Sequence, residues 1–267
     1  MQPPTTNELD IVRRLRSAGC VFAEDEAALL VAAAGSPAEL EDLVARRLSG
    51  VPLEHVLGWV DFSGLRIAVD PGVFVPRRRT GYLVRRGAKV LRRRGPGGLP
   101  VVVVDLCCGS GAVGAALAAV AGPLELHAAD IDPAAAACAR RNLIPLGAEV
   151  HEGDLYAALP ERLRGRVDLL AVNAPYVPSS AIGTMPPEAR LHEPLLSLDG
   201  GPDGLDLHRR VAAAAAAWLA PGGSLLIETS RIQAPETLGI LERAGLTGRV
   251  HASRRLDATV VQGTWAG

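Results

Sequence analysis

The chain has 267 residues, 48% of them apolar, and a formal net charge of −1. That length and apolar share exclude a disordered chain and suit one large domain, or a large domain with a small companion. The near-zero charge excludes a global field that would draw the chain to nucleic acid or to a membrane. No uncharged apolar run reaches the ~18 residues of a membrane span, and no basic-then-apolar leader opens the chain. The four cysteines, Cys20, Cys107, Cys108 and Cys138, form no CxxC pair and no zinc spacing. They read as free thiols in a reducing compartment, so a cytoplasmic protein with no metal is expected.

In chain order, residues 1–6 read as a loose end. Leu9, Val12 and Leu15 set a helical spacing with Asn7 as a candidate cap. A second helix is expected over 24–34, stopped by Gly35. A third starts with Ser36 as cap and Pro37 in its first turn, and Gly50 ends it. This small unit has too few large apolar residues for much stability of its own. Segments 60–64 and 65–69 alternate across a Ser-Gly turn, a hairpin signal, and 71–77 is an extended connector. Residues 79–94 read as a helix carrying Arg79, Arg85, Arg86, Lys89, Arg92, Arg93 and Arg94, behind Arg77 and Arg78. Such a face is either an electrostatic footprint for RNA or an acidic protein, or a solvated surface.

From Leu99 strands and helices alternate, which implies a parallel sheet. Strands are expected over 100–105, 124–130, 149–152, 167–173 and 224–228. Helices are expected over 111–121, 133–142, 205–219 and 234–244. Segments 247–251 and 258–264 read as an antiparallel edge hairpin. Segment 177–204 is long, rich in Pro and Gly, and poorly periodic. Loops of that length are functional or disordered, and its place after a candidate ligand-binding strand favours function.

That strand, 167–172, delivers Asn173-Ala174-Pro175-Tyr176 to its carboxyl end, where open α/β sheets bind ligands. Asn173 offers a neutral acceptor and the Ala174 carbonyl a second. Pro175 biases Ala174 towards an extended conformation, and Tyr176 adds a flat wall. Two acceptors beside an aromatic face suit a planar NH2 group. A plain Asn-Pro turn is the bland alternative.

The run Val101 to Asp105, followed by Leu106-Cys107-Cys108-Gly109-Ser110-Gly111, is a buried strand entering a Gly-rich turn and a small-residue helix. It lacks the G-x-G-x-x-G order of a dinucleotide site. An acid at the strand end followed by glycines is the S-adenosylmethionine pattern, with Asp105 near the amino-acid part and Gly109 and Gly111 as backbone floor. Asp130, about twenty residues beyond the glycines, can take ribose hydroxyls. Asp132 more simply caps the next helix. Asp154 can accept from the adenine amino group, or form an Asx turn.

With these residues in place, the chain resembles the release-factor glutamine methyltransferase family over nearly its full length. The resemblance rests on Pro71 to Arg77, on Asp105 to Gly111, on Asp130 and on Asn173 to Tyr176. It rests also on Glu193-Pro194, on Asp199 to Leu205, and on Pro221-Gly222-Gly223 leading to Glu228. The resemblance implies an α/β fold: a seven-stranded Rossmann-like sheet that uses S-adenosylmethionine, a small N-terminal helical domain and a connecting β-hairpin. The expected divisions are 1–50 for substrate recognition, 51–78 for hairpin and connector, and 79–267 for the methyltransferase domain. The implied substrate is the glutamine of a Gly-Gly-Gln loop in peptide-chain release factors, methylated on its side-chain nitrogen. Carried over motif by motif, the catalytic residues are Asn173, Ala174, Pro175 and Tyr176. Cofactor-binding residues are Asp105, Cys107, Gly109, Gly111, Asp130, Ile131, Asp154, Leu155 and Asn173. Substrate-binding residues are Phe74, Pro76, Arg77, Asn173, Tyr176 and Glu193.

The chain departs from the family pattern at several of these positions. Ala174 stands where the family has proline, and Cys107 stands at the first motif glycine. Arg78, Arg79 and Gly81 replace a proline and two acids around Thr80, and His208 replaces a late tyrosine. These departures leave other acceptors open: an adenine amino group in nucleic acid, or a small-molecule amide or amine. They also leave open an inactive S-adenosylmethionine-binding module. No membrane partner is expected. His192 and His208 read as structural or exposed loop histidines.

Overall fold

The computed structural model describes residues 6–93 and 100–267. The loose end therefore lies almost wholly outside the described residues, as do Arg94 of the basic helix and the Asn7 side chain. Helix α1 (Thr6–Ser17) starts one residue ahead of Asn7. It is followed by α2 (Ala23–Ala33), α3 (Pro37–Leu48) and the single turn α4 (Leu53–Leu57). Ser36 caps α3 by accepting from the Glu39 amide, while the Glu39 carboxylate accepts from Gly35. Leu15, Leu30 and Val44 form the core of this unit, and Val56 of α4 joins it.

The hairpin pairs β1 (Trp59–Phe62) with β2 (Leu65–Ala68). Its Phe62 and Ile67, with Val73 and Val75 of the connector, pack into the core of the larger domain. The Asn142 side chain fastens it there: it accepts from the Ala68 amide at 3.0 Å and donates to the Ala68 and Ser110 carbonyls at 2.9 Å each. The hairpin is thereby tied directly to the Gly-rich turn.

The basic stretch opens with a tight turn at Arg78–Thr80 and continues as α5 (Gly81–Arg93). Leu83, Val84, Val90 and Leu91 bury one face of α5, and Arg85, Lys89, Arg92 and Arg93 stay exposed on the other. The sheet and its helices follow in alternation: β3 (Val101–Leu106), α6 (Ala112–Ala121), β4 (Leu124–Asp130), α7 (Pro133–Leu143), β5 (Glu149–Glu152) and β6 (Val167–Val172). After a short α8 (Pro187–His192) come α9 (Asp206–Trp218), β7 (Leu219–Thr229), α10 (Ala234–Arg243), β8 (Thr247–Ser253) and β9 (Ala258–Thr264).

The seven strands lie in the order β5-β4-β3-β6-β7-β9-β8. All neighbours are parallel except around β9, which runs antiparallel to both β7 and β8. Successive residues face opposite sides, so Val103 packs under α5–α7 while Val102 and Val104 pack under α9 and α10. The chain steps outward from β3 one way and from β6 the other. The β3–β6 boundary is thus a topological switch point, where open α/β sheets bind ligands.

Three expectations need correction. Strand β7 begins at Leu219 and runs through Pro221-Gly222-Gly223, five residues before the expected start. Segment 177–204 is not without structure: it holds α8 and tight turns at Ser179–Thr184 and Leu195–Ser197. His208 is no loop residue but a fully buried side chain on α9.

Candidate active site

The carboxyl ends of β3, β4 and β6, with the loop after β5, open onto one cavity of about 500 Å³. β3 contributes Asp105 and Cys107, β4 contributes Asp130, and the loop after β5 contributes Asp154 and Leu155. β6 contributes Asn173 to Tyr176. Phe74, Pro76 and Arg77 of the connector, and Glu193 of the segment after α8, line the same cavity. Every residue expected at the site lines this cavity except Gly111.

The end between β3 and β4 is acidic and tightly held. Asp105 is buried and accepts from the Gly114 amide at 2.8 Å. Burial pushes its carboxyl up to about 8, and the Gly114 hydrogen bond only partly opposes this. Asp130 accepts from the Gly109 amide at 2.8 Å and from the Asp132 amide at 3.0 Å, so it splints the Gly-rich turn. Burial raises its carboxyl as well. A buried acid, Asp105, and a half-buried one, Asp130, at a backbone floor fit a cationic, amino-acid-bearing ligand. Asp132 caps α7 through the Ala134 amide, as expected. Asp154 is exposed at the cavity rim and pairs with Arg210 at 2.6 Å. Ile131 and Leu155 supply apolar surface, Ile131 half exposed and Leu155 buried.

Gly111 has a different job from a cofactor floor. Its φ is +77°, and a Cβ there would lie 2.7 Å from Leu143 Cδ1 and 3.3 Å from Ala139 Cβ. It lets α6 start against α7, whereas Gly109, with φ +55° and open space at its Cβ position, faces the cavity. Cys107 takes φ +56° without being glycine. That conformation costs an L-residue about 1–2 kcal/mol. Burial pushes its thiol far up, so it is not an ionised nucleophile.

The end at β6 is a hydrogen-bonded cluster around Asn173. Its Nδ2 donates to the Thr80 hydroxyl at 3.5 Å. The Tyr176 hydroxyl donates to Glu228 Oε1 at 3.4 Å, and Arg79 Nε sits 3.5 Å from the same oxygen. Burial raises the Glu228 carboxyl against the Thr80 hydroxyl, Arg79 and Tyr176. Burial and the Glu228 charge push the Tyr176 phenol up to about 12. Gln233 donates to the Tyr176 carbonyl at 2.9 Å, and Gly204 packs so close to that carbonyl that a Cβ would lie 2.3 Å away. Further out, buried Glu193 accepts from Arg77 at 2.6 Å and from the Val75 amide at 3.3 Å. The Arg77 guanidinium lies 5.1 Å from the Phe74 ring centre.

Sequence reading missed Thr80, Arg79 and Glu228 as parts of the site. Their signal was present, since all three lie in or beside the stretches that carried the resemblance. Neither His192 nor His208 reaches the cavity. Burial pushes His208 down to about 4, and its Nδ1 pairs with Thr237 at 3.1 Å.

The family described as Methyltransferase small domain matches residues 65–185. A 16S rRNA methyltransferase of T. thermophilus, solved with AdoMet and guanosine, is 21% identical with a TM-score of 0.54. The match covers 78% of this chain and 49% of that one. Fold and site together define an S-adenosylmethionine-dependent methyltransferase. A release factor glutamine methyltransferase of Geobacter sulfurreducens is 38% identical over 205 residues, 76% of this chain and 69% of that protein. The chain belongs to the release factor glutamine methyltransferase family. A relative in Streptomyces pristinaespiralis, named 4-amino-L-phenylalanine/4-methylamino-L-phenylalanine methyltransferase, is also 38% identical, over 79% of this chain and 72% of its own. Among the described residues no helix is long and apolar enough to cross a membrane.

Proposed function

We propose that this enzyme methylates the side-chain amide nitrogen of a glutamine in a protein, the Gly-Gly-Gln loop of a peptide-chain release factor. The observation that carries the reading is the shared cavity: Asn173, oriented by Thr80, lines it together with buried Asp105 and half-buried Asp130. S-adenosylmethionine supplies an electrophilic methyl group on a sulfonium. Asp105 takes its ammonium, Asp130 its ribose hydroxyls and Asp154 its adenine amino group, over the floor made by Cys107 and Gly109, with Ile131 and Leu155 as apolar surface.

An amide nitrogen is a weak nucleophile because its lone pair is delocalised. No strong base is needed if methyl transfer precedes proton loss. Its Oδ1 and the Ala174 carbonyl accept the two N–H bonds, and both contacts strengthen as the nitrogen gains positive charge. Pro175 fixes the direction of the Ala174 carbonyl, and Tyr176 packs beside the amide. Holding the nitrogen at attack distance supplies up to about 7–11 kcal/mol in favourable systems. Phe74, Pro76, Arg77 and Glu193 shape the mouth for the substrate loop. The helical unit 1–50 is proposed to guide the partner, with 51–78 as hairpin and connector and 79–267 as the catalytic domain. The four free thiols suit a cytoplasmic setting.

A second reading has its own observation. Arg79 places a guanidinium in the cavity where the family carries an acid, and it suits the carboxylate of a small amino-acid acceptor. The relative named for 4-amino-L-phenylalanine is as similar to this chain as the release-factor relatives are. The experiment is transfer of labelled methyl to a release factor, to its loop Gln→Ala variant and to 4-amino-L-phenylalanine. Label on the native loop alone establishes the first reading. Label on the amino acid alone moves the function to small amines. Label on neither, with S-adenosylmethionine still bound, overturns both and sends the search to a cell extract with and without RNase.

A further inference from the structure

Outside the cavity, on the face of the sheet away from α6 and α7, the outermost parallel pair β4–β5 carries a cluster that the methyl-transfer site does not use. His127 of β4 lies opposite Glu149 of β5, and His151, opposite Ala129, lies two pairs further along. Their side chains share one face of the sheet. His127 Nδ1 is 3.1 Å from His151 Nε2 and 3.9 Å from Glu149 Oε2. One atom from each of the three lies within 4.8 Å of the others, the only such group of three among the described residues.

The surroundings settle which atoms face inward. His127 Nε2 points at Glu125 Oε1, 3.4 Å away, and a carboxylate can only accept. His127 therefore carries its proton on Nε2 and turns the Nδ1 lone pair towards His151. Glu125 is held in turn by Arg166 at 2.9 Å. Arg162 binds Glu149 Oε1 and leaves Oε2 facing the imidazoles. His127 Nδ1 and His151 Nε2 lie within hydrogen-bond distance, so at most one proton fits between them. A divalent ion with Zn–N bonds of about 2.0–2.1 Å holds two nitrogens about 3.3 Å apart, close to the spacing found.

We propose that His127, His151 and Glu149 bind one divalent transition-metal ion, best fitted by zinc, as a clip between β4 and the edge strand β5. Imidazole nitrogen and a single carboxylate select such ions over magnesium or calcium. Glu125 behind His127 is the carboxylate–histidine–metal arrangement that fixes the ring and raises its basicity. The cysteine-based reading of the sequence showed no metal spacing because these ligands come from two strands, 24 residues apart across the histidines. The clip sits three residues before Asp130 and two before Gly153, so it braces both strand ends that reach the cavity.

The test titrates Zn2+ alone into the untagged full chain against a chromogenic zinc indicator, with Co2+ absorption as a second readout. One ion per chain is expected. His151→Ala and Glu149→Ala, both at partly exposed positions, are each expected to weaken binding at least tenfold with unchanged circular dichroism. Glu125→Ala is expected to weaken it about 10–100-fold. Absence of stoichiometric binding to the native chain overturns the proposal. So does a wild-type affinity that changes less than tenfold in both His151→Ala and Glu149→Ala.

Discussion

The side-chain amide of Asn173 donates to the hydroxyl of Thr80, 93 residues earlier in the chain. That hydroxyl also lies near enough to the Glu228 carboxyl to oppose the upward push of burial there, and its oxygen accepts from Asn173. The pair therefore decides which way the amide faces: nitrogen to Thr80, oxygen to the cavity. Asn173→Ala is expected to lower kcat by about 10²–10³-fold, the usual scale for losing one aligned polar group in a transition state. S-adenosylmethionine affinity stays within threefold. Thr80→Val frees the amide to turn and lowers kcat by about tenfold, the rate equivalent of one modest hydrogen bond. Labelled-methyl rates beside calorimetric cofactor binding check both, and near-normal turnover in Asn173→Ala removes Asn173 from the mechanism.

Four carboxyls lining the cavity, Asp105, Asp130, Glu193 and Glu228, are all raised by burial, Asp105 to about 8. Each holds its proton more tightly folded than unfolded. Their contribution to stability is full below about pH 4, where both states are protonated, and is lost progressively up to about pH 8. Exposed acids such as Asp199 and Asp203 are shifted the other way and act only below that window. Buried His208, pushed down to about 4, and the likewise lowered His151 and His251 contribute stability that is lost below about pH 6.5. The comparison therefore lies above that: the cofactor-free enzyme is expected to melt at a lower temperature at pH 8 than at pH 7, with the difference reduced in Asp105→Asn. Because S-adenosylmethionine brings positive charge to these acids, its stabilising effect at fixed concentration should be larger at pH 8. Melting curves that are flat across this range would contradict the assignment.

The sheet was legible because parallel strands buried on both faces read as apolar runs, and β3 and β6 are nearly pure ones. The strand ends were legible because chemistry collects there, and Asp105, Asp130 and Asn173 stand where the pattern put them. Helix α4 was not, since five residues hold too little periodicity to register. The role of Gly111 was not, since its neighbours Leu143 and Ala139 come from the next helix. Nor was the Thr80–Asn173–Glu228 cluster, which joins three stretches that only the folded sheet brings together. Sequence locates backbone positions at a strand end; what their side chains touch is a tertiary fact.

Gly111 and Gly109 provide a contrast between packing and function. Gly111→Ala puts a methyl 2.7 Å from Leu143 Cδ1 and strains φ +77°. The two effects together are expected to cost about 3 kcal/mol in urea denaturation. Gly109→Ala meets no neighbour and is expected to cost only about 1 kcal/mol from its φ. It crowds the cavity, however, so cofactor affinity falls while the fold holds. If both variants lose the same stability, the packing role assigned to Gly111 is wrong.

Arg77 and Glu193 form an unequal pair: the Glu193 side chain is 1% exposed and the Arg77 side chain 36%. Removing one partner of a fully buried pair costs about 3–5 kcal/mol, because the other charge is left without compensation. Solvent at Arg77 reduces this, and Glu193 keeps the Val75 amide and can take up a proton, so Arg77→Ala is expected to cost about 2 kcal/mol. Arg77→Ala/Glu193→Gln removes the stranded charge and should recover at least half of that loss. A double-mutant cycle in urea isolates the coupling. The same variants carry a kinetic reading, since Arg77 also lies over Phe74 at the cavity mouth. If these residues grip the substrate loop, the double variant is restored in stability but not in KM, whereas recovery of both would confine the pair to a structural role.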